Sequence, residues 1–449
     1  MSGMKRTTSL SRPLVSWALC FLFGALHGTF AQTTQAPKKR VPADATAQAL
    51  NRLLADAQDA VGRQDYAAAA QDYRNYLEKK PDDAAVHFNL GYAYTALHQP
   101  ADATTEYQKA ISLDPKMGPA YLNLGVTLLA SDPAAAVEPL QKAADLMPGQ
   151  ARPKFLLGAA LDRSGKLPAA IEQYEAAAKL DDKNFDIRFS LGRALLIAGR
   201  ASDAEPELRA SLALRPDGTD AAPAHFELAH SLVAQKKLEP AAAELAAYLQ
   251  VQPKDAAARL DRASLLVDLA KYDDALAELD RAAADAPESL RALKLRSTAL
   301  YQEKRYDDLI PVLQKAAALA PRDADIPAQM GHVYLAKKDY ADAAHALVAA
   351  HNLDPAATDI LGDLVQAEYG SGNYAAALQA LDLLFQRKDL PAGSWFIRAA
   401  CYDKLGQLAQ ALDAYQRFLQ LNKDENSDMY FISTSRVRLI KRELEEKKR

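Results

Sequence analysis

The 449-residue sequence predicts an all-α solenoid of about eleven helical hairpins, and three observations support this class. Prolines recur at intervals of mostly 34 residues, small residues recur in the same register, and the composition is rich in aliphatic but poor in aromatic side chains. A fixed period of about 20 to 50 residues is the sequence signature of repeat architectures, in which each unit packs against its neighbours. The length therefore predicts one array of short units rather than three compact domains.

The composition excludes several classes of protein. Hydrophobic residues make up 49% of the chain, and 54 basic against 58 acidic residues leave a net charge of −4. A disordered chain has low hydrophobicity and high net charge, and nucleic-acid binding depends on basic residues that neutralise phosphates. With 19 glycines and 2 cysteines, collagen-like and disulfide-built folds are excluded as well. We expect no nucleic-acid partner.

Residues 1–31 have the three parts of a secretory signal peptide: basic residues, an apolar stretch from Leu14 to Leu26, and a small residue, Ala31. We expect cleavage after Ala31. A transmembrane helix needs roughly 20 apolar residues, so retention of this segment as an anchor is the less favoured alternative. A lipoprotein modified at Cys20 is less favoured still, because Leu19 is large for the position before such a cysteine.

Cleavage would place the protein in the periplasm or outside the cell, without a membrane span. Three basic residues would leave with the signal peptide, so the net charge would change from −4 to −7. The sequence has no Asn-x-Ser/Thr sequon, which favours a bacterial envelope. Only Cys401 would remain, so we expect no internal disulfide. Residues 32–49, which contain Lys38-Lys39-Arg40 between two prolines, are interpreted as a flexible linker.

Residues 50–423 carry the repeat. The interval of 68 residues between Pro148 and Pro216 has Asp182 at its midpoint, and beyond Pro355 the same step falls on Asp389 and Lys423. The repeat prolines are Pro81, Pro115, Pro148, Pro216, Pro253, Pro287, Pro321 and Pro355. Because proline cannot continue a helix, each one marks the end of a unit.

Small residues recur within the units. Ten of the eleven units place alanine twelve residues before the unit's end point, and Leu309 is the exception. Most units have glycine or alanine again about twelve residues earlier, as at Gly91 and Gly125. Small side chains allow two helices to cross closely. Turn signals between the two positions, such as Gly165 and Gly199, predict that each unit is a hairpin of two helices.

These residues resemble the tetratricopeptide repeat. Its pattern of a large residue, Leu-Gly, Tyr, Ala, an aromatic residue and Pro is most complete in the second unit, at His87, Leu90-Gly91, Tyr94, Ala103, Tyr107 and Pro115. The resemblance covers about residues 50 to 423 and implies a right-handed superhelix in which the first helix of each unit lines the concave side. Three units depart from the pattern, since Arg262, Arg296 and Arg398 replace the leucine before the small residue.

Residues 424–449 depart from the repeat. Val437, Ile440 and Leu444 recur at helical spacing among charged residues. This spacing predicts a polar capping helix or tail, which covers the last apolar face of the array and presents polar side chains to water.

The sequence shows no catalytic, cofactor-binding or metal-binding constellation. It lacks a Gly-rich phosphate loop, His-Glu-x-x-His, Cys-x-x-Cys and Gly-x-Ser-x-Gly. His225 and His230 are five residues apart and His345 and His351 six, whereas a metal pair on one helical face needs a spacing of four. Cys401 lies beside small residues in a helix and is interpreted as a packed thiol. We expect no enzyme.

In the register that the resemblance implies, the fifth position of the first helix faces the groove. The predicted partner-binding residues at this position and the next are Phe88, Asn89, Leu122, Asn123, Phe155, Phe189, Phe226 and Leu260. Exposed apolar stripes mark interaction surfaces, and an alternative is that these side chains pack against the neighbouring repeat as ordinary core. Asn89 and Asn123 resemble the start of a backbone-binding asparagine ladder, although two residues do not make one.

We therefore expect a non-catalytic scaffold that binds a peptide or protein partner and helps to assemble a cell-envelope complex. One alternative is a scaffold component of an exopolysaccharide secretion system. A further alternative is a glycosyl transferase regulated by its repeats.

Overall fold

The structure of the protein, a computed structural model, describes residues 45–387 and 390–446. The predicted signal peptide 1–31, most of the predicted linker 32–49 and the last three residues of the predicted tail lie outside the described residues. Every regular element in the described part of the chain is an α-helix. The all-α class predicted from the sequence is confirmed.

Twenty-three helices follow one another through short connections. They are α1 (Ala45–Gly62), α2 (Tyr66–Leu77), α3 (Ala84–Ala96), α4 (Pro100–Leu113), α5 (Gly118–Leu129), α6 (Pro133–Leu146), α7 (Ala151–Arg163), α8 (Leu167–Leu180), α9 (Phe185–Ile197), α10 (Ala201–Leu214), α11 (Ala222–Ala234), α12 (Leu238–Val251), α13 (Ala256–Asp268), α14 (Tyr272–Asp285), α15 (Leu290–Gln302), α16 (Tyr306–Leu319), α17 (Asp325–Lys337), α18 (Tyr340–Leu353), α19 (Thr358–Ser371), α20 (Tyr374–Arg387), α21 (Ala392–Lys404), α22 (Leu408–Leu421) and α23 (Asp428–Glu446).

The chain divides into two compact units, residues 1–235 and 236–449, here called unit 1 and unit 2. Among the described residues, unit 1 contains five helical hairpins, from α1/α2 to α9/α10, followed by α11. Unit 2 contains α12, five hairpins from α13/α14 to α21/α22, and α23. In chain order α1–α22 correspond to eleven repeats, so the predicted solenoid of about eleven hairpins with a C-terminal helix is confirmed.

The turn and proline signals fix the ends of the helices. The second helix α4 ends at Leu113, two residues before Pro115, because a residue preceding proline disfavours the helical conformation. The first helices α7 and α9 are followed by Gly165 and Gly199, whose φ angles of +77° and +78° are left-handed. Glycine adopts this conformation without steric cost, so the chain reverses there into the second helix.

The core lies along the seam between the two helices of each hairpin. Ala103 is fully buried, and a Cβ added to Gly91 would lie 2.8 Å from the ring of Tyr107. A Cβ added to Gly125 would lie 2.4 Å from Cγ of Leu140. The small residues are therefore required because a large side chain from the second helix fills the space beside them.

Each arginine that replaces the repeat leucine reaches the second helix of the preceding repeat. Arg262 Nε donates to the carbonyl oxygen of Ala242, Arg296 pairs with Asp280 at 2.6 Å, and Arg398 pairs with Asp382 at 2.7 Å. The guanidinium groups keep polar partners at the edge of the interface while their aliphatic stems pack. The departures from the repeat pattern thus preserve the contact between neighbouring hairpins.

Helix α23 covers the last hairpin, but its outer face corrects the prediction of a polar cap. Ile440 is fully buried, and Val437 and Leu444 pack with it against α21 and α22, as the spacing predicted. On the opposite side Phe431 is 73% exposed and Leu439 49% exposed. The spacing located the packed side of the helix correctly, and the exposed side is partly apolar. Among the described residues no helix combines the length and hydrophobicity that a bilayer span requires.

Candidate partner-binding face

The first helices of the hairpins lie side by side in each unit. In unit 1, α3 contacts α5, α5 contacts α7, and α9 contacts α11; in unit 2, α13 contacts α15 and α17 contacts α19. In a curved stack the helices nearest the centre of curvature approach each other most closely. The first helices therefore form the surface that we call the inner face of each unit.

The predicted residues do not all lie equally open on this face. Leu122 is only 8% exposed and belongs to the core. The other predicted side chains are half-buried: Phe88, Asn89, Asn123, Phe155, Phe189 and Phe226 in unit 1, and Leu260 in unit 2. The ring centroids of Phe88 and Tyr107 are 5.9 Å apart, as are those of Phe155 and Tyr174. Both readings of the stripe thus hold in part, because each of these rings has one side in its own hairpin.

Two further rings continue this surface on α9 and α11. Phe189 stacks on Phe185 with a centroid distance of 5.8 Å and an interplanar angle of 9°, and the guanidinium of Arg215 lies 4.7 Å from the Phe185 ring. Phe226 meets the His230 ring edge-on at 4.5 Å. We call Phe88, Phe155, Phe189 and Phe226 the aromatic row. Their neighbours restrict ring motion, so the row presents fixed apolar surfaces.

A charged cluster that the sequence analysis missed crosses three successive first helices of unit 1. Nη2 of Arg193 on α9 donates to Asp162 on α7 at 2.8 Å, and Nε of Arg193 is buried without a hydrogen-bond partner. Burial raises the pKa of Glu227 on α11, an effect that the nearby Arg193 opposes. Arg193 follows Phe189 by four residues, a spacing that places both on one helical face. That spacing was the available signal.

Asn123 has a structural partner. The hydroxyl of Tyr107 lies 2.9 Å from Oγ1 of Thr95 and is also hydrogen-bonded by Asn123. Burial raises the pKa of Tyr107 to about 12, although these two hydrogen bonds oppose the shift. Asn123 therefore helps to hold the tyrosine that fills the space beside Gly91, which is a role different from that of a ladder residue.

The inner face of unit 2 is lined by ion pairs where unit 1 has aromatic rings. Arg291 pairs with Asp261 at 2.8 Å, and Lys294 donates to Asp323 at 2.7 Å and lowers the pKa of that carboxyl group. Lys294 occupies the position that phenylalanine or leucine holds in the earlier repeats. The apolar surface is therefore a property of unit 1 and of Leu260.

A third ion pair in unit 2 predicts a pH response. Asp363 accepts a hydrogen bond from His332 at 2.7 Å and, with Asp359, raises the pKa of His332 above its ordinary value of 6.5. A raised folded-state pKa means that the stabilisation is complete below about pH 6.5 and is lost as the pH rises through the folded-state value. We expect Asp363→Asn to return the pKa of His332 towards 6.5, as measured by NMR titration of the ring protons. An unchanged titration would contradict this assignment.

The cysteine environment opposes nucleophilic chemistry. Cys401 is fully buried, and burial raises the pKa of its thiol to about 11. Reactive cysteines have lowered pKa values, so Cys401 is a packing residue. Among the residues that the structure describes, no group of three or more His, Cys, Asp or Glu side chains is arranged to hold a metal ion.

The chain matches known repeat proteins over limited stretches. It is 31% identical over 108 residues to the small glutamine-rich tetratricopeptide repeat-containing protein 2 of Mycosarcoma maydis, covering 24% of this chain and 31% of that protein. It is 33% identical over 78 residues to the Protein SGT1 homolog of Bos taurus, covering 17% and 23%. The chain thus spans less than a third of the length of these curated relatives.

Solved structures with similar folds include MamA and YrrB, the latter described as a TPR protein with an unusual peptide-binding site. MamA is 23% identical with a TM-score of 0.36, and the match covers 38% of this chain and 93% of MamA. YrrB is 21% identical with a TM-score of 0.39, and the match covers 42% of this chain and 97% of YrrB.

Family models identify the repeats directly. A tetratricopeptide repeat model matches residues 54–117, 155–219, 260–324 and 329–389, and a second one matches residues 392–425. These matches cover more than half of the chain. Repeats of this type support protein–protein interaction and are generally parts of non-catalytic scaffolds. With the eleven repeats of the structure, these matches show that the chain belongs to the tetratricopeptide repeat family.

Proposed function

We propose that this protein is a non-catalytic scaffold that binds an extended segment of a partner protein on the inner face of unit 1. The observation that carries the proposal is the aromatic row, four half-buried phenylalanine rings on the first helices of unit 1. Aromatic side chains supply large contact areas and are enriched among residues that dominate binding energy. Their fixed orientation also reduces the entropy lost on binding.

The charged cluster adds selectivity to this surface. Asp162, Arg193 and Glu227 lie on the same three helices as Phe155, Phe189 and Phe226. A partner that covers the rings must also satisfy these charges, because an uncompensated charge in a desolvated interface is costly. We therefore infer a partner segment that alternates apolar side chains with polar groups.

The predicted signal peptide supports a place of action in the cell envelope. A periplasmic or secreted scaffold with a net charge of −7 would assemble other envelope proteins through these repeats. Residues 1–31 lie outside the described part of the chain, so this assignment depends on the sequence pattern alone.

Binding should depend on the aromatic row. We expect the double variant Phe155→Ala/Phe189→Ala to weaken capture of the partner at least about tenfold, since two buried anchors would be removed. The measurement is crosslinking and affinity capture of envelope proteins on the purified chain, followed by titration of each captured protein. Leu146→Ala/Leu180→Ala is the matched control, because these leucines are 38% and 44% exposed at the ends of second helices. Equal capture by both variants, or no specific capture by the unaltered chain, would contradict the proposal.

The secretion-system alternative makes a different prediction for the same rings. Phenylalanine faces such as that of Phe189 also stack on sugar rings, and a scaffold for exopolysaccharide export would bind glycans there. Glycan-array binding that disappears in Phe155→Ala/Phe189→Ala would favour this alternative over a protein partner.

A further inference from the structure

Helix α23 carries an apolar surface that the fold does not use. We propose that two copies of this chain associate through the outer face of α23, as an antiparallel helix pair centred on Ser435. The inference is independent of the function proposed for unit 1, since it concerns a different surface and a different partner.

The inner side of α23 is firmly attached to the last hairpin. Ser433 and Ile440 are fully buried, and Val437 and Leu444 pack beside Ile440. Arg436 donates from Nε and Nη2 to the two carboxylate oxygens of Asp403 on α21, at 2.6 and 2.5 Å. A bidentate pair of this kind fixes orientation as well as position. The helix therefore presents its outer face as a defined surface.

The outer face is more apolar than a terminal helix requires. Phe431 is 73% exposed, the largest value among the exposed large hydrophobic residues of the described chain, and Leu439, Ile432 and Met429 are 49%, 43% and 43% exposed. Terminal helices of repeat arrays keep the protein in solution by presenting polar side chains. A cluster of four exposed apolar residues on one such helix marks an interaction surface.

The pattern along the helix is its own complement. Phe431, Ser435 and Leu439 form a ridge at four-residue spacing, the type of ridge used in the commonest class of helix packing. Rotation by 180° about Ser435 places Phe431 beside Leu439 of the second copy. The same rotation brings Asp428 towards Arg442 of the second copy, so acid meets base at both ends. The small Ser435 at the centre allows the two helices to approach.

This self-complementarity favours a second copy over a foreign partner. A two-fold interface requires each residue to match its symmetry mate, and Phe431 with Leu439 and Asp428 with Arg442 both meet that requirement. The surface is small, and Glu446 approaches the acidic residue Asp424 at the ends of the pair, which opposes association. We therefore expect a weak dimer, with a dissociation constant on the order of micromolar to tens of micromolar.

Charge exchange tests the pairing. In sedimentation velocity of the purified full-length chain over a concentration series, we expect Asp428→Arg and Arg442→Asp each to weaken dimerisation several-fold and the double variant to restore it. Phe431→Glu should weaken dimerisation at least about tenfold. Leu319→Glu is the control, because Leu319 is 58% exposed on α16 and lies away from the proposed interface. Circular dichroism would establish that each variant is folded.

A crosslink gives an independent readout of the centre. In a chain with Cys20 replaced by serine, Ser435→Cys should form an intermolecular disulfide much faster than Glu445→Cys on the flank of α23, since only residue 435 faces itself across the axis. A monomer at all concentrations, dimerisation unaffected by Phe431→Glu, or equal crosslinking at the two positions would overturn the proposal. Association abolished by Phe431→Glu but not restored in the double charge variant would also overturn the antiparallel pairing.

Discussion

Replacing Glu278 by glutamine should destabilise the hairpin α13/α14 by about 3 kcal/mol. The Glu278 side chain is only 3% exposed and accepts hydrogen bonds from Arg259 at 2.9 Å, Arg262 at 2.5 Å and Arg281 at 2.9 Å. Arg259 and Arg262 are themselves largely buried. Removal of the carboxylate would leave two buried guanidinium groups without their counter-charge, which is more costly than losing a pair of exposed ions.

Asp280→Asn is the matched control for this prediction. Asp280 lies on the same helix, two residues away, and also pairs with an arginine, Arg296, but its side chain is 69% exposed. Solvent screening should limit its effect to less than about 1 kcal/mol. Hydrogen exchange of the α13 and α14 amides, measured by mass spectrometry, would report the local opening free energy of each variant. Similar exchange rates in the two variants would show that the buried carboxylate is not the stabilising feature.

Two glycine-to-alanine changes in unit 2 should have effects of opposite sign. Gly331→Ala on α17 should lower the free energy of unfolding by about 1–3 kcal/mol, because the added Cβ would lie 2.5 Å from Cγ of the fully buried Leu347. Gly362→Ala on α19 should raise it by about 0.5–1 kcal/mol, since no atom lies within 4 Å of its added Cβ and alanine favours the helix.

The comparison separates packing from helix propensity. Both changes are chemically identical and lie in first helices of the same unit, so the difference between them isolates the contact with Leu347. Denaturant unfolding and local hydrogen exchange should place the two variants on opposite sides of the unaltered protein. Stabilisation by Gly331→Ala would show that Leu347 moves aside at little cost and would contradict the packing argument.

The repeat pattern predicted the hairpins because local signals and packing signals coincide. Pro115 and Gly165 end helices for backbone reasons that do not depend on neighbouring repeats. Gly91 and Ala103 are small because Tyr107 and the facing helix leave no room. Since every repeat meets the same demands, the periodic sequence was sufficient to derive the fold class.

The candidate site was only partly predictable. Phe88 and Leu122 occupy the same repeat position, yet the first is half-buried and the second lies in the core. The sequence gives no signal for this difference, which depends on the side chains contributed by neighbouring helices. The cluster of Asp162, Arg193 and Glu227 was missed for the same reason, because it joins three repeats through residues at different repeat positions.

The sequence by itself determined the helical class, the number of repeats, the positions of turns and the packed side of α23. These properties follow from φ preferences and from the spacing of apolar and small residues, which act within a hairpin or between adjacent ones. Only the tertiary structure decided which periodic positions remain exposed, which charges meet, and that Phe431 and Leu439 lie on an open face of α23. Exposure depends on the sum of contacts from several elements, and no single repeat contains that information.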